Sequence, residues 1–228
     1  MATKRKSSSA IAGNVTPSAE KLRVLAKFSG DPWQPKNKYF DQAEETMDYL
    51  WDKRIWPFIS DSDFSRSVDL AAGKGRNSEK LAPIARELYI MDINVGLVDF
   101  CRDRFKDYKK TQYAVGNGFD LQPIPDGWAT FVYCFDAMVH FDSDVVRSYI
   151  RDLTRVLAPG GRAFLHHSNL TSSGADWTKN PKARNFMSAE LFKHYCEKEG
   201  ITVLKQQIID WGDAKNIDCL SLVEQSKK

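Results

Sequence analysis

Long apolar runs are missing from this sequence. No stretch approaches the roughly 20 apolar residues that span a bilayer, and Ala10-Ile11-Ala12-Gly13 is too short for the apolar core of a secretory signal. A membrane span is therefore not expected, and the chain is read as cytoplasmic. Cysteine is sparse as well. Cys101, Cys134, Cys196 and Cys219 are scattered, with no CxxC pair and no histidine at zinc-finger spacing. That sets aside a disulfide scaffold and a structural zinc, and leaves four reduced core thiols. Charge of one sign is also lacking: 33 basic against 30 acidic residues gives a net charge of +3, which implies no nucleic acid or other polyanionic partner. The short run Lys4-Arg5-Lys6 is read as solvated.

What is present fits one α/β domain. At 228 residues and 42% hydrophobic content the chain can bury a sizeable core but cannot hold two ordinary enzyme domains. Residues 1–30 are expected to be a flexible tail, and residues 31–228 a single domain that begins with a helical cap. In that cap Asp41-Gln-Ala-Glu44 has the form of a capping box, and Phe40, Ala43, Met47, Leu50 and Trp51 recur at helical spacing until Pro57 closes the segment. Trp33, Tyr39 and Phe40 lie nearer a loop and are freer to line a pocket.

From Ser67 strands and helices alternate. Strands are expected at Val68–Leu70, Leu88–Met91, Gln112–Val115, Thr130–Phe135 and Ala163–His166, then at Ile201–Ile209 and Ile217–Val223. The helices between them begin near Asn77, Asn94, Asp142 and Ser188, and Gly200 stops the last. Such alternation demands a largely parallel sheet covered by helices on both faces. Residues 168–187 have no periodicity and are read as a substrate loop, in which Lys179, Lys182 and Arg184 could meet an anionic group.

In an open parallel sheet the ligand sits at the carboxyl ends of the strands, where the strand order reverses. After strand 1, Gly73 and Gly75 let the backbone approach a ligand closely. After strand 2, Asp92 is placed to accept hydrogen bonds from two ribose hydroxyls. A dinucleotide-binding loop would look similar, but its third glycine falls on Ser78 here, and a separate catalytic domain does not fit the residues left after strand 3.

Over roughly Phe40 to Glu224 the sequence resembles the class I S-adenosylmethionine-dependent methyltransferases. The likeness lies in Val68-Asp-Leu-Ala-Ala-Gly-Lys-Gly-Arg-Asn77, Tyr89-Ile-Met-Asp-Ile-Asn94, Gly116-Asn-Gly-Phe-Asp120 and Leu157-Ala-Pro-Gly-Gly-Arg-Ala-Phe-Leu165. Ala71 stands where the family usually has its first glycine. The resemblance implies S-adenosylmethionine as cofactor and a Rossmann-like, seven-stranded, mostly parallel sheet with its last strand antiparallel. It also implies that Asp69, Ala71, Gly73 and Gly75 wrap the methionine part, Asp92 and Ile93 hold the ribose side, and Asn117, Gly118 and Phe119 flank the adenine. Asp136 would then lie near the reacting methyl. A narrower likeness, to bacterial methyltransferases of sugar and glycan modification, rests on Phe135-Asp-Ala-Met-Val-His140, His166-His-Ser-Asn169, Met187-Ser-Ala, Trp211 and Asp218-Cys-Leu-Ser221.

Methyl transfer from a sulfonium chiefly requires alignment of acceptor, carbon and sulfur. An alcohol acceptor also needs a base, and histidine is the natural one. His140 and then His166 are the candidates. His166 and His167 should point to opposite faces of the sheet, and mid-helix His194 is set aside. Asp136 is the other catalytic candidate, as a group that positions a substrate hydroxyl. A metal held by Asp136 with Asp142 or Asp144 is not expected, because those two are explained as first-turn acids of a helix. The expected acceptor is a small hydroxyl-bearing molecule such as a sugar or glycan. Rival readings are an N-methyltransferase or other small-metabolite methyltransferase, a nicotinamide-dependent reductase, and a non-catalytic cofactor-binding scaffold.

Overall fold

The computed structural model describes residues 17–172 and 179–226. Seven strands, β1 (Arg66–Leu70), β2 (Glu87–Asp92), β3 (Thr111–Val115), β4 (Ala129–Cys134), β5 (Leu157–Ser168), β6 (Ile201–Trp211) and β7 (Ala214–Gln225), form one sheet in the order β3-β2-β1-β4-β5-β7-β6. Neighbours from β3 to β5 are parallel, with Val68 opposite both Tyr89 and Val132. β7 runs antiparallel between β5 and β6, which sets Ser168 opposite Asp218. The chain moves outward from β1 to β3 and then crosses to β4 on the other side of β1. The order therefore reverses between β1 and β4, where a crevice opens at their carboxyl ends.

Alternation along the strands builds two cores. Val132 and Cys134 of β4 face one layer with Val146, Tyr149, Ile150 and Leu153, while Phe131 and Tyr133 face the other with Trp51, Ile55, Phe58 and Phe164. Every residue of β4 is buried, as befits a central strand covered on both faces. Each fully buried Val, Leu, Ile or Phe contributes about 1.5–3 kcal/mol over its exposed state.

Eight α-helical segments are described: α1 (Ala19–Gly30), α2 (Tyr39–Glu45), α3 (Met47–Leu50), α4 (Trp56–Ile59), α5 (Arg76–Leu81), α6 (Val95–Arg104), α7 (Ser143–Val156) and α8 (Ala189–Glu199). Asp142 caps α7 by accepting from the Asp144 amide, Ser188 caps α8, and Gly200 ends α8 at φ +78°. No described helix is long and apolar enough to cross a membrane.

Three expectations need correction. The tail does not extend to residue 30: Ser18 caps α1 by accepting from the Lys21 amide, and Leu22, Ala26, Ser29 and Gly30 are buried. Residues 1–16, with the basic run, lie outside the described residues. Asp41 is not a helix cap; it sits inside the first turn of α2 and pairs with Lys74. Pro57 does not close the cap helix either. A π turn over Trp51–Ile55, in which the Trp56 amide reaches back to the Trp51 carbonyl, brings Pro57 into the first turn of α4, where a missing N–H costs nothing.

Candidate active site

The loop after β1 alternates left-handed residues: Ala71 at φ +58°, Gly73 at +60° and Gly75 at +85°. Gly75 then serves as the N-cap of α5. Glycine adopts this conformation freely, whereas Ala71 holds it at a cost of about 1–2 kcal/mol. The Gly73 amide donates to Asp92 Oδ2 at 3.0 Å, and the Asn94 amide donates to Asp92 Oδ1 at 2.9 Å. Each carboxylate oxygen accepts one bond and keeps capacity for another. Burial raises the Asp92 carboxyl to about 6, against the opposing hydrogen bonds from the Asn94 and Gly73 amides.

These residues edge a cleft of about 890 Å³, counted with its open mouth. Ala71, Gly73, Asp92, Ile93, Gly118, Asp136 and His140 line it, together with Trp33, Tyr39 and Phe40 from the cap and Ala26, Ser29 and Gly30 from α1. α1 went unrecognised in the sequence, and so did its part of this wall. At Gly118, φ +88°, an added Cβ would lie 2.6 Å from Ile93 Cδ1 and 2.7 Å from Ala26 Cβ. Only glycine lets that loop close against α1.

Four sequence candidates, Asp69, Gly75, Asn117 and Phe119, stand behind this wall, as does His166. Asp69 is fully buried in β1, accepts from the Ser78 hydroxyl through Oδ2, and has no hydrogen-bond partner for Oδ1 among the described residues. Burial, ahead of the Ser78 bond, brings its carboxyl to about 7. Gly75 packs against Phe105 and Cys101. Asn117 turns its own loop, its side-chain oxygen accepting from the amides of Phe119 and Asp120, and Phe119 is buried in the core beside Ala26.

The expectation for His166 as a base is corrected. Its ring is fully buried between Phe135 and Trp211. Nδ1 accepts the Asp136 amide at 3.1 Å, and Nε2 donates to Asp218 Oδ2 at 3.1 Å. No ring nitrogen is left for a substrate. His167 faces the opposite side, stacked on Phe192, as strand alternation requires.

Asp136 itself stands at φ +58° just past β4. Its Oδ2 accepts from the Tyr39 hydroxyl and from Arg76 Nη2, while Arg76 Nη1 donates to the Ala43 carbonyl. Burial, then the Asp136 charge, pushes the Tyr39 phenol far up, so it acts as a donor throughout the physiological range. Arg76 was missed in the sequence; its place in the polar start of the helix after the glycine loop was the available signal. The Tyr39 and Arg76 bonds both fall on Asp136 Oδ2.

His140 lines the cleft, its ring 5.1 Å from that of Trp33, over which the Lys182 ammonium sits at 5.9 Å. Nδ1 is 3.0 Å from the Ala183 carbonyl. A carbonyl only accepts, so Nδ1 carries the proton and Nε2 the lone pair. Burial lowers the His140 pKa from its ordinary value, so the ring is neutral at pH 7. Arg184, placed in the sequence with Lys179 and Lys182 as a group for an anionic acceptor, is instead paired with Asp218.

Comparison with known proteins agrees with this geometry. Residues 68–165 match the family model for a methyltransferase domain. The biotin biosynthesis bifunctional protein BioHC of Cellvibrio japonicus (strain Ueda107) is 25% identical over 166 residues, covering 73% of this chain; the chain spans 30% of that protein's length. Among solved structures, the N-methyltransferase NodS of Bradyrhizobium japonicum WM9, in complex with S-adenosyl-L-homocysteine, aligns with a TM-score of 0.59 at 16% identity, over 91% of this chain and 97% of that one. The cyclase SpnF aligns with a TM-score of 0.63 at 12% identity, over 94% and 98%. The sheet order, the glycine loop and Asp92 define a Rossmann-like fold of the class I methyltransferase type. The family match over residues 68–165 makes that segment similar to a methyltransferase domain, and S-adenosylmethionine is the cofactor this likeness indicates. The cleft suits that ligand: its size is in the range for cofactors, and the Asp92 oxygens keep acceptor capacity for paired hydroxyls.

Proposed function

We propose that the protein methylates a hydroxyl of a small acceptor, a sugar or glycan, with His140 as the general base. The observation that carries this reading is the bond from His140 Nδ1 to the Ala183 carbonyl, which leaves a neutral imidazole with its Nε2 lone pair free in a cleft it shares with Asp136. In this reading Asp92 holds the ribose hydroxyls with Ile93 beside them, and Gly73 and Gly118 provide the close backbone approach. Asp69, Ala71 and Gly75 shape the loop that wraps the methionine part, while Asn117 and Phe119 set the adenine-side loop. S-adenosylmethionine supplies a methyl group already activated by the sulfonium charge. His140 Nε2 would take the proton of the acceptor hydroxyl, leaving its oxygen free to receive the methyl group that the bound cofactor would supply. The indole face of Trp33, next to His140, suits the apolar face of a sugar ring. A cytoplasmic setting is in keeping with the four buried free thiols.

A second reading, transfer to nitrogen, has the structural likeness to NodS in its favour. Fold does not fix chemistry, and the likeness to a cyclase makes the same point. The test is incubation of the protein and its His140→Gln variant with methyl-labelled S-adenosylmethionine and panels of sugars, oligosaccharides and amines. Label on a hydroxyl, lost in the variant, supports the proposal. Label on an amine at a rate the variant preserves replaces it with the second reading.

A further inference from the structure

Buried charge away from the cleft is concentrated at Asp218, on the antiparallel strand β7 and fully buried. Its Oδ2 accepts from His166 Nε2 at 3.1 Å and from Arg184 Nη2 at 2.7 Å, while Oδ1 accepts from Arg184 Nε at 3.0 Å. Burial opposes ionisation of this carboxyl, yet the bonds from His166 and Arg184 outweigh it and hold the group below its ordinary value. The carboxylate is thus fully engaged, and each partner leads to a different wall of the cleft.

The first route runs through His166. With its proton held on Nε2 by Asp218, Nδ1 must accept, and what it accepts is the Asp136 amide. That bond fixes a non-glycine residue at φ +58°, a conformation that persists only when its surroundings enforce it. The second route runs through Arg184, next to Ala183, whose carbonyl sets the His140 tautomer. The Asn185 amide, one residue on, donates to the Val139 carbonyl at 3.0 Å and ties the same segment to the turn that carries His140.

We propose that Asp218 is a positioning residue for the methyl transfer set out above: one buried carboxylate that fixes the Asp136 backbone through His166 and the His140 tautomer through Arg184 and Ala183. This rests on the reading of His140 as the base. Asp218 does not line the cleft; it acts by deciding which nitrogen of each imidazole carries the proton.

The test is nitrogen-15 NMR of the full-length protein labelled in its histidine rings, for wild type, Asp218→Asn and Arg184→Met. Wild type should show His166 as the Nε2–H tautomer and His140 as the Nδ1–H tautomer. Asp218→Asn keeps the shape but can turn an amide N–H toward His166, so His166 should lose its single tautomer, and His140 should shift to a mixture in which Nε2–H dominates. Arg184→Met cuts only the second route: His140 should become mixed while His166 stays Nε2–H. This variant also keeps the proposal testable if Asp218→Asn does not fold. S-adenosylhomocysteine binding, read by calorimetry, should weaken no more than about threefold in both variants. Once an acceptor is known, kcat should fall at least tenfold with KM for cofactor little changed. Unaltered tautomers of His140 and His166 in Asp218→Asn, or an unaltered His140 in a folded Arg184→Met protein, would overturn the proposal. Wild type that binds no S-adenosylhomocysteine would overturn the methyltransferase reading instead, a separate outcome.

Discussion

His140 donates from Nδ1 to the Ala183 carbonyl at 3.0 Å, so the chemistry open to its ring is decided by a residue on a different segment. The nitrogen that remains, Nε2, is an acceptor. Replacing His140 with Gln should therefore lower kcat for a hydroxyl acceptor by about 10²–10⁴-fold, the usual worth of a positioned base, while cofactor affinity stays within a few-fold. Steady-state kinetics alongside calorimetry checks this; an undiminished kcat on an alcohol would remove His140 from the mechanism.

The same residue sets the acid limb of activity. Burial lowers the His140 pKa below 6.5, with Arg184 acting in the same direction and the Ala183 carbonyl, Asp136 and Asp218 against. The base form is the neutral one, so kcat should rise with pH through a midpoint below 6.5 and be flat from pH 7 upward. A limb centred above pH 7 would point to another base.

Cofactor binding should carry its own pH dependence, through Asp92. Its folded carboxyl lies at about 6, above the reference value of about 3.9, so the ligand-free fold keeps a proton that the unfolded chain has released. Between those values the folded state binds more protons, and this group's contribution to stability falls as pH rises. Ribose hydroxyls need the ionised carboxylate as acceptor. The affinity for S-adenosylhomocysteine should therefore drop by about tenfold per pH unit below 6 and level off above it. In Asp92→Asn the curve should be weak and flat; a wild-type curve of that shape would exclude Asp92 as the ribose ligand.

Ala71 is a site of stored strain. At φ +58° it bears a left-handed penalty that glycine lacks, partly offset by glycine's larger loss of freedom on folding. Ala71→Gly should stabilise the ligand-free protein by about 0.5–1 kcal/mol, or ~2 °C in Tm for a chain of this size. Gly118→Ala should do the reverse, because its Cβ would meet Ile93 and Ala26; a loss of ~2 kcal/mol together with weaker cofactor binding is expected. Thermal melts of the two variants check both signs.

Strand-by-strand, the fold was legible because short runs such as Val68–Leu70 and the continuous apolar stretch from Thr130 differ sharply from the helical stripe of Val146, Tyr149, Ile150 and Leu153, and the strands and the helix lie there to within a residue or two. Helix α1 was not legible. Its buried face is only Leu22, Ala26, Ser29 and Gly30, too small and too polar a stripe to stand out beside a basic, serine-rich start. For the site, loop positions after strands pointed to Gly73, Asp92, Asp136 and His140, which do meet at one cleft. What sequence could not reveal was hydrogen bonding at long range. His140 and His166 look alike as residues past strand ends, and only the bonds to Asp136 and Asp218 show that His166 is spent on structure.

The most direct test of the central claim is calorimetric titration of the purified protein with S-adenosylmethionine and S-adenosylhomocysteine, with NAD(H) as control and Asp92→Ala alongside. The account predicts micromolar binding of both sulfur ligands, no binding of NAD(H), and at least a tenfold loss in the variant. A demonstrably folded protein that binds neither sulfur ligand, or that binds NAD(H) in their place, would contradict it.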